Sequence, residues 1–108
     1  MDSSEYVRRV LDAYRATPGT CGAIRKPDRA FALQLFDRGV PLAVVVNALV
    51  LACARRLARP AEAPPLGVIR SLAYFSPVID EVLGLRVDDA YFRHLRHQLA
   101  RILQQSSS

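Results

Sequence analysis

Arginine is the side chain with the most chemistry to offer in this sequence. Arg55, Arg56 and Arg59 fall close together, Arg70 follows, and Arg93, Arg96 and Arg101 return near the C-terminus. A guanidinium is flat, permanently charged and carries its donors in a fork that matches phosphate. A face on which these groups converge would hold a nucleic-acid backbone. Tyr74-Phe75 and Tyr91-Phe92 lie among them and can stack on bases. The expected nucleic-acid contacts are therefore Arg55, Arg56, Arg59, Arg70, Tyr74, Arg93, Arg96 and Arg101. The competing reading is that these arginines are scattered, solvated and paired with nearby acids, while the rings fill the core.

Other reactive groups make weaker patterns. His94 and His97 are spaced H-x-x-H, but a metal site needs further ligands, and no cysteine or carboxylate pair is placed to supply them. Asp80-Glu81 falls near a helix end and Asp88-Asp89 at a helix start, where capping and solubility explain them. Cys21 reads as a loop thiol and Cys53 as a small core residue. The loop holding Gly19, Gly22, Arg25 and Lys26 lacks the G-x-x-x-x-G-K-[ST] pattern and follows a helix rather than a strand. No Ser/His/Asp or Cys/His set comes with its supporting motif. The expectation is a non-enzymatic protein with no catalytic residues, no metal and no cofactor.

The charge supports an acidic partner. The chain of 108 residues carries a formal +5. Residues 1–60 hold ten basic and five acidic groups, while residues 61–108 hold five of each, so the excess lies in the first part. The coding bias of a GC-rich genome accounts for arginine over lysine, but not for the net charge. The N-terminal residues show no apolar signal-peptide core, and no apolar run reaches the roughly 20 residues of a membrane span. A cytoplasmic protein that does not enter a membrane is expected.

These side chains must be positioned by helices. The chain length allows one domain, residues 1–108. Its centre is Val40–Arg56, VPLAVVVNALVLACARR, in which Asn47 is the only polar residue between Leu42 and Ala54. A helix apolar on every side has to be surrounded by others. Before it, a helix is expected from about Ser4 to Ala16, burying Tyr6, Val7, Val10, Leu11 and Tyr14, and ended by Thr17-Pro18-Gly19. A second starts at Pro27 or Asp28, pairs Phe31 with Leu35 and Ala32 with Phe36, and stops at Gly39. The short link to the central helix implies that these two pack at an angle or as a hairpin.

After the central helix, LARPAEAPPL at 57–66 reads as a stiff connector. Gly67–Leu83 reads as helical, with Val68, Ile69, Leu72, Tyr74 or Phe75, Val78, Ile79 and Val82 inward. Pro77 kinks or splits it, and Ser76 caps the second half. The last helix runs from Asp88 or Asp89 to about Gln104, with a stripe of Phe92, Leu95, Leu99, Ile102 and Leu103. The tail 104–108 is expected to be disordered. The fold class is all-α: five or six short helices around a central apolar helix.

The stretch RAFALQLFDRGVPLAVVVNAL has the outline of a helix-turn-helix. A recognition helix needs polar side chains for the groove, and here the second helix offers only Asn47. Two buried helices meeting at a turn explain it better. The segments GVPLAVVVNAL and IRSLAYFSPVIDEV resemble the helical domain of DnaD-type primosomal and phage replisome-organiser proteins. That family carries a Y-x-x-x-I-x-x-x-W pattern implicated in DNA binding. Here Tyr74 is followed by Val78 and Val82, and the chain has no tryptophan. The resemblance covers under half of the chain. It implies a nucleic-acid-binding or replication-accessory role, in a phage or mobile element, with DNA as the partner. The alternative is a helical protein–protein interaction module, including a homodimer, without nucleic-acid binding.

Overall fold

A computed structural model describes residues 1–84 and 89–106. Five α-helices account for most of it: α1 Ser3–Ala16, α2 Lys26–Asp37, α3 Leu42–Leu57, α4 Ser76–Gly84 and α5 Asp89–Ser106. A single 3-10 turn, Leu72–Phe75, leads directly into α4. The expected all-α architecture is present, and α3 is its centre. It packs against α1, α4, α5 and the 3-10 turn, while α2 rests on α1 and the 3-10 turn. No helix among the described residues is long and apolar enough to cross a membrane.

Local chemistry sets each boundary. Asp2 caps α1, its Oδ1 accepting from the Glu5 N–H at 2.8 Å, which satisfies one of the donors a helix start leaves free. At the far end the Thr17 hydroxyl donates to Ala13 O at 2.8 Å. α2 closes in a Schellman arrangement: Gly39 N–H donates to Phe36 O at 2.9 Å and Val40 N–H to Leu35 O at 3.0 Å. Gly39 takes φ +75° there, a left-handed conformation that favours glycine. The Tyr6 hydroxyl then donates to Val40 O at 2.8 Å, tying the α2–α3 turn to α1.

The core is continuous through α1, α2, α3 and α4. Val10, Tyr14, Leu35, Val45, Leu72, Phe75 and Ile79 are fully buried in it. Tyr14 and Phe75 meet edge to face with centroids 6.1 Å apart, a favoured aromatic geometry. The expected inner face of α1 is buried except for the half-buried Val7.

Asp28 is 2% exposed. Its Oδ2 accepts from the Arg25 N–H at 2.9 Å, and its Oδ1 accepts from the Leu72 N–H at 2.9 Å. One buried carboxylate thereby closes the first turn of α2 and anchors the start of the 3-10 turn.

Two expectations about this part of the chain need correction, the helix over 67–71 and the cap at Ser76. The division beside Pro77 and the burial of one ring of the Tyr74-Phe75 pair are present. Residues 67–71 are not helical. Ile69 N–H donates to Gly19 O at 2.8 Å and Cys21 N–H to Ile69 O at 2.9 Å, so the segment lies extended against the 17–21 loop. This pairing takes its backbone groups, and it turns Ile69 inward and Val68 out to solvent. Ser76 does not cap the start of α4 but is its first residue, and its N–H closes the 3-10 turn on Ala73 O. Pro77 falls in the first turn of α4, where a missing N–H costs nothing. Of the ring pair, Phe75 is buried and Tyr74 is exposed.

The last helix also differs. It continues through Ser106, two residues past the expected end near Gln104. Among the described residues α5 packs chiefly on α3, and one neighbour cannot cover its whole apolar stripe. Leu95, Leu99 and Leu103 are half-buried and Ile102 is exposed. Asp88, the side chains of Tyr91 and Phe92, and residues 107–108 lie outside the described residues.

Candidate nucleic-acid interface

The C-terminal turns of α3 set Ala52, Arg55 and Arg56 on one face, and Arg59 follows just past the helix end at the same spacing. Tyr74 reaches this face from the 3-10 turn. Together with Leu66 and Val78 these residues line a cavity of about 330 Å³. Four of the eight expected contacts, Arg55, Arg56, Arg59 and Tyr74, are therefore brought together.

Arg56 is the hub. It donates through Nη1 to the Tyr74 hydroxyl at 3.1 Å and through Nη2 to Gly67 O at 2.7 Å. Its guanidinium carbon lies 5.8 Å from the Tyr74 ring centroid, within cation–π range. Gly19 packs close to it, with φ +92°; a Cβ at that position would come 3.6 Å from Arg56 Nε. Arg59 Nη2 donates to Pro64 O at 2.9 Å and so holds the proline-rich connector against the end of α3. A guanidinium has five N–H donors. The bonds described for Arg56 and Arg59 occupy two and one of them.

Arg55 is spent differently. It forks onto Glu81 of α4, with Nη1 to Oε2 at 2.8 Å and Nη2 to Oε1. The hydrogen bond from Arg55 holds the Glu81 carboxyl below its ordinary range. This charge pair links α3 to α4 and offsets positive charge at the cavity rim.

The other expected contacts do not join this cavity. Arg70 is exposed on the extended segment. α5 lies over the face of α3 that carries Ala54, Leu57 and Ala58. At 3.6 residues per turn that face is on the other side of the helix from Ala52 and Arg56. Arg96 donates to the Oδ1 of Asn47, which explains how α3 tolerates a polar residue that is 6% exposed. Arg93 and Arg101 are exposed on α5. The eight residues thus form a cluster at Tyr74, an isolated Arg70, and a second group on the opposite side of α3.

The remaining reactive groups stand apart. His94 and His97 are exposed, and among the described residues no three His, Cys, Asp or Glu side chains are grouped as metal ligands. Cys21 and Cys53 are both free thiols, the first exposed and the second buried. Burial pushes the Cys53 thiol up, which keeps it protonated and inert. Tyr14 is the one buried hydroxyl without a hydrogen-bond partner among the described residues. The nearby Cys21 thiol does not satisfy it and faces Ala23 O at 4.0 Å instead. Burial first, and then the Asp28 charge, push the Tyr14 phenol up to about 12.

Two features of this site escape a reading of residue types alone. The carbonyls of Gly67 and Pro64 fix the guanidinium positions, and backbone oxygens leave no signature in a sequence. Asp28 does carry a signal, an acid beside Pro27 at a helix start, but its partner is 44 positions away. No family model, no curated protein and no solved structure matches the chain, so this geometry carries the functional reading.

Proposed function

We propose that this protein is a small, non-enzymatic helical module that binds nucleic acid, in a replication-accessory role and in the setting of a phage or mobile element. The observation that carries the reading is the shared cavity of Arg56, Arg59 and Tyr74. Tyr74 is 47% exposed, although a ring of that size gains most from burial. It stands where a base can stack on it while the arginines take the adjoining phosphates. That combination suits a single strand, whose bases are free to leave the helix stack. The resemblance to DnaD-type proteins points the same way, because Tyr74 is the residue that matches the tyrosine of their DNA-binding pattern.

Binding of fluorescent single- and double-stranded DNA to the whole chain tests the proposal. Contact with two phosphates makes affinity fall about sevenfold for a fourfold rise in salt. Affinity that is absent at low salt, or indifferent to salt, overturns it.

A second reading has its own support. Leu57 and Ile102 are exposed, and with Leu95 and Leu99 they line a cleft of about 220 Å³ between α3 and α5. A protein–protein module, including a homodimer, would cover that cleft. Concentration-dependent mass by light scattering, lost on Ile102→Glu, supports this alternative.

A further inference from the structure

A larger groove lies away from Tyr74, between α1 and α2. It has a volume of about 470 Å³ and an apolar floor of Val7, Leu11, Ile24 and Leu33. Leu33 is 44% exposed at its edge, so part of this apolar surface is open to a partner. The rim carries Arg8, Arg15 and Arg29 against one acid, Asp12. Arg15 donates to Asp12 at 3.2 Å. Arg8 and Arg29 are exposed and form no ion pair among the described residues. Among the described residues, three guanidinium groups and one carboxylate give the groove a net charge of +2.

Its shape and chemistry select a particular occupant. From Ser4 to Arg15 the α1 wall is about 17 Å long, the length of three helical turns. Among the described residues no Tyr or Phe lines the groove, and these give a base no ring to stack on. A nucleic-acid backbone would also lay its phosphates over an apolar floor. A helix with a leucine-rich face and flanking carboxylates matches both surfaces, its apolar side on Leu33 and Ile24 and its acids on Arg8 and Arg29. We propose that the α1–α2 groove docks an acidic amphipathic helix of a partner protein. This site is separate from the Tyr74 cavity and does not depend on nucleic-acid binding there.

The test is an NMR titration of the whole, methyl-labelled chain with three probes. The first is a synthetic helical peptide about three turns long, with leucines at i, i+3 and i+4 and glutamates on its flanks. The second replaces each glutamate with lysine. The third is a single-stranded oligodeoxynucleotide. The acidic peptide is expected to shift the Val7, Ile24 and Leu33 methyl signals and to bind more weakly as salt rises. Arg8→Glu with Arg29→Glu lowers its affinity about tenfold, while Arg56→Ala leaves it unchanged. Both arginines are exposed, and circular dichroism of the double variant checks that the fold is kept. Equal binding of the two peptides, or no shift at those methyls, overturns the proposal. Groove shifts produced by the oligonucleotide instead would assign the groove to nucleic acid and equally overturn it.

Discussion

Arg56 donates to the Tyr74 hydroxyl at 3.1 Å, across 18 positions of sequence. The bond joins the end of the central helix to the exposed ring of the 3-10 turn. It fixes a cation beside a stacking surface, and a nucleotide needs both.

The ring and its hydroxyl have separable roles. Tyr74→Phe removes only the bond to Arg56, so DNA affinity should change by about twofold. Tyr74→Ala removes the stacking surface and should cost about 1–3 kcal/mol in binding. Because Tyr74 is 47% exposed, Tyr74→Phe should unfold near the wild-type denaturant midpoint, while Tyr74→Ala also loses the edge-to-face contact with Phe75 and should unfold somewhat earlier. Titrations of the two variants side by side check this; equal losses from both would show that stacking plays no part.

Neutralising Glu81 should strengthen binding. Glu81→Gln removes the negative charge facing Arg55 and so raises the positive charge at the cavity rim, which favours phosphate. Each added phosphate contact steepens the salt dependence by about 0.7 in the log–log slope for single strands. The pair also responds to acid. The Glu81 carboxyl is depressed below its ordinary 4.5, so its stabilisation is complete above that pH. It is lost as pH falls through the lowered value. Acid titration of stability should therefore be flatter in Glu81→Gln than in the wild type.

Asp28 should be the polar residue whose loss harms the fold most. Asp28→Ala strips the acceptor from the Leu72 and Arg25 N–H groups and should destabilise by about 3 kcal/mol. Asp28→Asn keeps one acceptor oxygen and should cost less. Urea denaturation of the two variants ranks them.

Tyr14 carries the opposite expectation. Its buried hydroxyl has no hydrogen-bond partner among the described residues, and burying such a group is costly. Tyr14→Phe keeps the ring against Phe75 and should stabilise by about 1 kcal/mol. The phenol is raised from 10.0 to about 12, so the folded state holds its proton where the unfolded chain has lost it. Stability is then full below pH 10.0 and falls as pH rises toward about 12. Alkaline unfolding curves should show that fall in the wild type and less of it in Tyr14→Phe.

Much of the fold is legible because helices record their faces in periodicity. The apolar run around Asn47 marks α3 as central, and the spacing of Tyr6, Val10 and Tyr14 marks the inner face of α1. What escapes is pairing over distance. Nothing near Ile69 announces that the 17–21 loop will take its backbone N–H and C=O, so a helical pattern there is overridden by tertiary hydrogen bonds. The candidate site divides the same way. Arg55, Arg56 and Arg59 share a face by spacing alone, and Tyr74 joins them through the turn before α4. Arg93, Arg96 and Arg101 also share a helix, but whether that helix packs on the same side of α3 is set by the chain's path, which no local pattern encodes.

The most direct measurement is the affinity of single-stranded DNA for the wild type and for the Arg56→Ala, Arg59→Ala, Tyr74→Ala variant at low and raised salt. The expected result is salt-dependent binding by the wild type and a loss of about 100-fold or more in the variant, with its helical circular dichroism unchanged. Wild-type affinity retained by a folded variant would contradict the assignment of the nucleic-acid interface to the Tyr74 cavity.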